Sequence, residues 1–313
     1  MRSNLCTLAA GDPAAFEAEM RARRAAFWDA RPFTYYTGAE PHHLEHSRAP
    51  LFVSATRLAR YATTGDAWPA RTATAWAGDS GAYTAHMGNN PNHPWHQDAD
   101  VYGGMWVRFM EECGRHPDFV APQDWPCEPG VRARTGYTVR DHQELTVWSY
   151  QYLAEQFPMV PWLPVLQGWT LREYLECADM YERAGVDLAD MPRVGLGSVC
   201  RRGAQTDVAA IVTALAARGY RLHGFGVSLN ALRLVGHLLA SADSQAWSAT
   251  ARAEGIRLDG CTHTARDGVT PTDCRNCFRY AMAYRAEVEQ AMSEAADARA
   301  RAEQLALFDL VAA

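Results

Sequence analysis

The feature of this sequence that most constrains its fold is a repeated alternation of short apolar runs with amphipathic stretches. Each run ends in a polar or glycine-containing turn, and a segment with apolar residues at helical spacing follows it. The runs are PLFVSA (50–55), TATAWAGDSG (72–81), DFVAPQDW (118–125), WLPVLQGW (162–169), RVGLGSV (193–199), RLHGFGV (221–227) and LLASADS (238–244). Strands that alternate with helices in this way predict a parallel sheet with crossover helices.

Polar residues stand at the C-terminal end of nearly every run, which favours a (β/α)8 barrel, a TIM barrel, over a doubly wound open sheet. In such a barrel the C-terminal strand ends converge on one mouth that carries the active site. The runs leave one of the eight strands unassigned. The strand-end residues are Ser54, Asp79, Asp124, Gln167, Ser198, His223 and Asp243.

These strand ends also indicate the kind of molecule that the mouth would bind. Asp79 lies in a glycine-flanked turn, where a ligand can approach the backbone closely, and Tyr83 could stack on a flat ring. Asp124 and Gln167 offer hydrogen-bonding groups for a purine edge, and the stretch 195–197 exposes backbone groups beside its glycines. Two carboxylates at one mouth also suit displacement at an anomeric carbon through a covalent glycosyl–enzyme.

The stretch CTHTARDGVTPTDCRNC carries metal-binding residue types at a spacing typical of a zinc site. Cys261 and His263 form C-x-H, and after ten intervening residues Cys274 and Cys277 form C-x-x-C at the start of a long predicted helix. Four such ligands close a tetrahedral site and leave no open position for water. We therefore predict a structural Zn²⁺, with a redox C-x-x-C as the alternative.

The predicted strands and the predicted metal site together divide the chain into three parts. Residues 1–49 form an N-terminal extension, residues 50–258 the barrel, and residues 259–313 a small zinc-binding subdomain with the terminal helix. A chain of 313 residues, 48% of them hydrophobic, can bury the core of one large domain or of two small ones.

Composition excludes some classes of protein. No run of about 18 apolar residues predicts a membrane span. The N-terminal stretch is too acidic, and its apolar run too short, for a signal peptide, so we expect a cytoplasmic protein. All 30 basic residues are arginine and the formal net charge is −6, which argues against broad attraction to nucleic acid but allows a local arginine-lined groove. The eight cysteines are expected to be reduced.

Several segments, taken in order, resemble the tRNA-guanine transglycosylase family. DSGAYT (79–84) is similar to that family's DSGG-aromatic-Q turn, VLQGW (165–169) to its Q-G strand end and VGLGS (194–198) to its G-G-L segment. HGFGV (223–227) and SADSQAWSATAR (241–252) resemble its H-x-x-G-x-G strand and its D-x-x-x-P-T-R nucleophile segment. The Cys/His cluster falls where the family keeps its zinc.

The resemblance implies a role for each matching residue. Asp243 would attack C1′ of the sugar as the nucleophile, and Asp79 would act as general acid and base. The residues implied to bind the base are Tyr83, which would stack on it, and Asp124, Gln167, Gly195 and Leu196, which would read it. The implied reaction is exchange of guanine for a 7-deazaguanine such as preQ0, without hydrolysis or a redox cofactor. The implied fold is a TIM barrel, and barrels of this family tend to form homodimers.

This sequence also departs from the family pattern. Its zinc ligands run C-x-H…C-x-x-C, where the bacterial family has C-x-C-x-x-C…H. Trp247 and Ser248 replace the Pro-Thr pair, and the lysine-rich tRNA-binding surface is absent. DWPCEP (124–129) and VCRR (199–202) look more like the divergent DpdA-type branch, which puts 7-deazaguanines into DNA. We therefore expect DNA rather than tRNA as the polymer.

A target guanine must leave the base stack to reach a barrel mouth. Arg201, Arg202 and Arg252 lie just past strand ends and are candidates for phosphate contacts, with surface salt bridges as the alternative. One rival function is a zinc-dependent hydrolase, which would need an open metal position. Another is a non-catalytic nucleic-acid-binding subunit, against which the presence of both Asp79 and Asp243 argues.

Overall fold

Parallel strands form one sheet in the computed structural model, which describes residues 18–19, 22–23, 26, 32–64, 74–199, 205–265 and 267–312. In chain order the strands are β1 (Thr34–Ala39), β2 (Leu51–Ser54), β3 (Trp76–Asp79), β4 (Val165–Leu166), β5 (Val194–Leu196), β6 (Leu222–Gly224) and β7 (Leu239–Ser244). They pair in the order β3-β2-β1-β7-β6-β5-β4. Every pairing is parallel, so the predicted parallel sheet with crossover helices is confirmed.

Helices follow most strands and return the chain to the opposite end of the sheet. They are α1 (Ala55–Thr64), α2 (Ala82–Met87), α3 (Ala99–Cys113), α4 (Pro129–Thr135), α5 (Val139–Gln156), α6 (Leu171–Arg183), α7 (Gln205–Ala217), α8 (Leu229–Val235), α9 (Ala246–Glu254) and α10 (Phe278–Ala312). Capping boxes begin α5 at Thr138 and α6 at Thr170. Within the described ranges, none of the helices is both long and apolar enough to cross a membrane.

Strand β1 lies inside the sheet, between β2 and β7. Thr37 pairs with Leu51 of β2, and Tyr36 pairs with Asp243 of β7. Its sequence, TYYTGA, contains two threonines and a glycine, so it does not stand out as an apolar run. It lies before residue 50, the position at which the barrel was predicted to begin from the sequence.

A short segment around Val120 links the two outer edges of the sheet. Val120 forms parallel bridges with Gly78 of β3 and with Trp162, which precedes β4. The N–H of Gly78 donates to Phe119 O over 2.9 Å, and the N–H of Leu163 donates to Val120 O over 2.8 Å. The run DFVAPQDW, predicted as a strand, is therefore held between β3 and β4 by isolated bridges.

Side chains alternate between two faces of the curled sheet, as strand geometry requires. In β2, Leu51 and Val53 join the large cluster under the helices, whereas Phe52 points to the other face. That inner face is packed with its own small cluster, formed by Tyr36, Phe52, Ala77, Phe119, Leu163 and Val165, with Phe225 against it. We call this set the inner aromatic cluster. It fills the space beneath the C-terminal strand ends.

Candidate active site

Two aspartates stand at the C-terminal ends of β3 and β7. Asp79 is the last residue of β3, and its neighbour in the pairing is Ser54 of β2. The pKa of Asp79 is raised to about 7, chiefly by burial and then by the charges of Asp243 and Asp124, while hydrogen bonds from Gly81 and Ser54 oppose the rise. A carboxyl group with such a pKa can give and take a proton near neutral pH.

Asp243 is buried on β7, with 6% of its surface exposed. Its Oδ1 accepts a hydrogen bond from the N–H of Gly226 over 3.0 Å. Nε2 of His223, on the neighbouring strand β6, lies 3.5 Å from the same oxygen. Both of these contacts are therefore made to Oδ1, one from strand β6 and one from the turn that follows it. The structure places this nucleophile candidate in the same strand-end group as Asp79, whose pKa it raises.

Asp124 is the centre of a hydrogen-bond network. Its Oδ1 accepts from Ser80 Oγ over 2.6 Å, and its Oδ2 accepts from Gln167 Nε2 over 2.6 Å. All three side chains are buried. Burial raises the pKa of Asp124 to about 6, although the hydrogen bonds from Ser80 and Gln167 oppose the rise. A carboxylate that already holds two donors can exchange one for the donor edge of a bound base.

Ser198 extends this network on the far side of Gln167. Its Oγ lies 2.7 Å from Gln167 Oε1 and 2.9 Å from Glu128 Oε2, and it accepts from the N–H of Cys127 over 2.7 Å. Because a hydroxyl has one proton, Ser198 donates to either Gln167 or Glu128 at a given moment. Its φ of 56° is the one left-handed value among the non-glycine residues described. This strained conformation holds the hydroxyl against Gln167.

The structure places the remaining base-binding candidates less centrally. Tyr83 lies in the first turn of α2 and is partly exposed. Gly195 and Leu196 are buried in β5. The N–H of Gly195 donates to Pro164 O over 2.8 Å, and a Cβ at that position would come within 2.7 Å of Phe225. Close packing within the sheet is thus sufficient reason for a glycine at this position.

Four residues between α9 and α10 could hold a metal ion. The ligand atoms of Cys261, His263, Cys274 and Cys277 all lie within 4.8 Å of one another. Cys261 Sγ is 3.7 Å from Cys274 Sγ and 3.7 Å from Cys277 Sγ. In a tetrahedral site with Zn–S bonds of about 2.3 Å, neighbouring sulfurs stand roughly 3.8 Å apart, so these residues fit Zn²⁺. The predicted four-residue cluster is confirmed as a candidate metal site.

The backbone around this cluster is braced by an arginine. The guanidinium of Arg257 donates to the carbonyl groups of Cys261, His263 and Thr272 over 2.6–3.1 Å. Nδ1 of His263 lies 3.2 Å from Thr272 Oγ1, while its Nε2 faces Cys274 Sγ at 3.5 Å. Support of the outer ring nitrogen is typical of a metal-binding histidine. The sequence spacing gave no indication of this role for Arg257.

The predicted phosphate-binding arginines are only partly accounted for. Arg252 is exposed on α9. Arg201 and Arg202 lie outside the described residues. Sequence reasoning also missed the contacts of Ser80 and Glu128, although Ser80 directly follows Asp79 and Glu128 follows shortly after Asp124. Their closeness in sequence to a candidate aspartate is the one feature from which a place in the site could have been predicted.

Comparison with known proteins identifies one family. The family model described as DpdA, DeoxyPurine in DNA protein A, matches residues 31–309. This range includes both strand-end aspartates, the Asp124 network and the Cys/His cluster. No curated protein sequence matches the chain. The resemblance to the DpdA-type branch is confirmed by this match.

Proposed function

The chain belongs to the DpdA family, and from that premise we propose that it is a base-exchange glycosyltransferase acting on DNA. It replaces guanine with a 7-deazaguanine base such as preQ0. The observation that carries this proposal is that Asp79 and Asp243 lie at the C-terminal ends of β3 and β7 in one parallel sheet, where the charge of Asp243 raises the pKa of Asp79. The buried pair of Asp124 and Gln167, with a purine-edge hydrogen-bonding pattern, belongs to the same strand-end group.

We further infer that the sheet closes into a (β/α)8 barrel. In addition to the seven strands β1 to β7, residues 119–121 would form the eighth, between β3 and β4. The bridges from Val120 to Gly78 and Trp162 support this closure, because they connect the two outer strands. The strands would then follow one another around the barrel in chain order. The zinc-binding subdomain and terminal helix follow the barrel at residues 259–313.

In the first half-reaction, Asp243 attacks C1′ of the target deoxyguanosine. The C1′–N9 bond breaks and its electron pair goes to N9, while the new bond joins C1′ to a carboxylate oxygen of Asp243. Asp79, protonated because of its raised pKa of about 7, donates a proton to the departing guanine. The product is a glycosyl ester of Asp243 and free guanine.

In the second half-reaction, the incoming 7-deazaguanine attacks C1′ of this ester. Asp79 takes the proton from its ring nitrogen, and the C1′–O bond breaks with its electrons returning to the Asp243 carboxylate. Two displacements at one carbon retain its configuration. The base replaces water as acceptor, so the glycosidic bond is exchanged rather than hydrolysed.

Recognition of the base is assigned to the Asp124 network. The Asp124 carboxylate accepts from the N–H groups of the guanine edge, and Gln167 donates to its carbonyl oxygen. A 7-deazaguanine has the same edge, so one site serves both the leaving and the incoming base. Tyr83 stacks on the ring, and the backbone at Gly195 and Leu196 completes the pocket.

The metal has a structural part in this proposal. Cys261, His263, Cys274 and Cys277 would hold Zn²⁺, which would close the loop between α9 and α10. Four protein ligands would leave no open position for water, so the role of such an ion would be to contribute folding free energy rather than to take part in base exchange. Arg252, together with Arg201 and Arg202, would contact phosphates of the strand from which the guanine is extruded.

The test is base exchange with labelled guanine. The protein and its Asp243→Ala variant are incubated separately with duplex DNA, single-stranded DNA and bulk tRNA, and label in the polymer is counted. We expect label in DNA with the parent and none with the variant. Label in tRNA alone would reassign the polymer. Exchange by a folded Asp243→Ala protein, or none by the parent with guanine or preQ0, would overturn the proposal.

A further inference from the structure

The buried imidazole of His223 lies among aromatic rings of the inner aromatic cluster. Its side chain is completely inaccessible to solvent. Its ring centroid is 4.7 Å from those of Phe119 and Phe225 and 5.5 Å from that of Phe52. An apolar side chain of similar volume would fill this space without desolvation of two polar nitrogens, which costs free energy.

Both ring nitrogens face polar groups, but only one makes an ordinary hydrogen bond. Nδ1 lies 2.9 Å from Oγ of Ser241. Nε2 is buried and makes no hydrogen bond within the described part of the chain. The polar atom nearest to it in the described contacts is Oδ1 of Asp243, at 3.5 Å.

The neighbours of the ring select one of its two neutral tautomers. With the proton on Nδ1, the lone pair of Nε2 would face the Asp243 carboxylate with no hydrogen between them. With the proton on Nε2, Nδ1 accepts from the Ser241 hydroxyl and an Nε2–H donor lies 3.5 Å from Oδ1. The second arrangement gives each buried polar atom a complementary neighbour.

We propose that His223 is a positioning residue for Asp243, whose Oδ1 it holds through Nε2–H together with the N–H of Gly226. This inference rests on the proposed base exchange. With two donors on Oδ1, Oδ2 is the oxygen that faces the sugar and forms the bond to C1′. The separation of 3.5 Å shortens in the substrate complex, as catalytic hydrogen bonds that are long in the free protein commonly do.

The same donor acts again when the ester breaks down. As the incoming base forms its bond to C1′, the C1′–Oδ2 bond breaks and negative charge returns to the carboxylate. The N–H groups of His223 and Gly226 stabilise this charge at Oδ1, and the proton stays on Nε2 throughout. Donors that bind developing charge in a water-free site accelerate the step that produces it.

Two substitutions separate this role from simple packing. His223→Leu keeps the volume but removes the donor, whereas His223→Gln keeps an N–H donor near the position of Nε2. We expect His223→Leu to lower kcat about 100-fold with little change in KM for DNA, and the trapped Asp243 adduct to persist longer. We expect His223→Gln to recover at least about tenfold of that loss. Equal kcat for the parent and a folded His223→Leu protein, or equal loss in both variants, would overturn the inference.

A second measurement does not depend on activity. Nitrogen NMR of ¹⁵N-histidine-labelled protein reports which ring nitrogen carries the proton, and the signals absent in His223→Gln assign His223. We expect protonated Nε2 and unprotonated Nδ1, with a shift of both signals in Asp243→Asn. Protonated Nδ1 would overturn this inference alone, while failure of exchange in the parent protein would count against the proposed function.

Discussion

Gln167 donates its side-chain amide to Oδ2 of Asp124 over 2.6 Å. The amide can point only one way in this pair, because its oxygen would repel the carboxylate. Ser198, 2.7 Å from Gln167 Oε1, holds the same orientation from the other side. The donor and acceptor pattern that the proposed site would offer to a base is therefore set in the free protein, which is preorganisation in the sense used for binding sites.

Removal of the Ser198 hydroxyl should loosen this orientation. We expect Ser198→Ala to lower kcat/KM for guanine exchange about tenfold, the equivalent of one neutral hydrogen bond of about 1.4 kcal/mol. Because φ at this position is 56°, alanine is also strained there. Ser198→Gly lacks the hydroxyl without that strain, so it should lose similar activity but unfold at a higher temperature than Ser198→Ala. Parental activity in Ser198→Gly would contradict the prediction.

Asp79 should make folding stability fall as the pH rises. Its pKa is 3.8 as an ordinary side chain and about 7 in the folded protein, so the folded chain binds the extra proton between these values. Stability from this group is complete below about pH 4 and is lost as the pH passes through 7.

Asp79→Asn removes that loss. We compare the midpoint of thermal unfolding of the variant with that of the parent at each pH. This difference should be roughly 4 °C more favourable to the variant at pH 8 than at pH 5. Base exchange should fall at least about 100-fold, because the proton donor and acceptor is gone. Thermal unfolding across the pH range is the measurement, and a difference between variant and parent that stays constant with pH would contradict the assignment.

The Cys/His cluster should bind about one zinc ion per chain. We expect Cys274→Ser to lose most of the metal and to unfold at least about 10 °C lower, since structural zinc contributes folding free energy. Cys113→Ser is the matched control, because Cys113 is also buried but lies on α3 outside the cluster. Metal analysis and thermal unfolding read the result, and equal zinc in the Cys274→Ser protein would refute the site.

Arg252 should contribute to DNA affinity without sequence preference. We expect Arg252→Ala to weaken binding several-fold and to reduce the slope of log K against log salt by about 1. Arg108→Ala is the control, because Arg108 pairs with Glu112 over 2.8 Å near the end of α3, away from the strand C-termini. Filter binding over a salt series gives both slopes. Equal slopes for the two variants would exclude a phosphate contact at Arg252.

Much of the site could be predicted from strand ends alone. Asp79, Asp124, Gln167 and Asp243 each follow an apolar run, and parallel strands bring such positions to one edge of a sheet. The metal cluster could be predicted from spacing because its ligands lie close together in the chain.

Other features depend on contacts that no local pattern records. Strand β1 was missed because its buried tyrosines stand among threonines and a glycine, so the run does not look apolar. The placement of Ser198 depends on a left-handed backbone conformation that serine rarely adopts. The proximity of His223 to Asp243 depends on the register between β6 and β7, which carries an irregularity beside His223.

The inner aromatic cluster bears on whether the proposed glycosyl ester would be hydrolysed and the DNA damaged. A glycosyl ester that water reaches is hydrolysed, and the product is an abasic site, which is a lesion. Tyr36, Phe52 and Phe119 pack beneath the strand ends with no more than 4% of their surfaces exposed. Among the described residues, this packing closes the lower side of Asp243, so water would reach an ester there from the mouth, where a bound base would block it. In the proposed cycle, the lesion would form chiefly in the interval between departure of one base and arrival of the next.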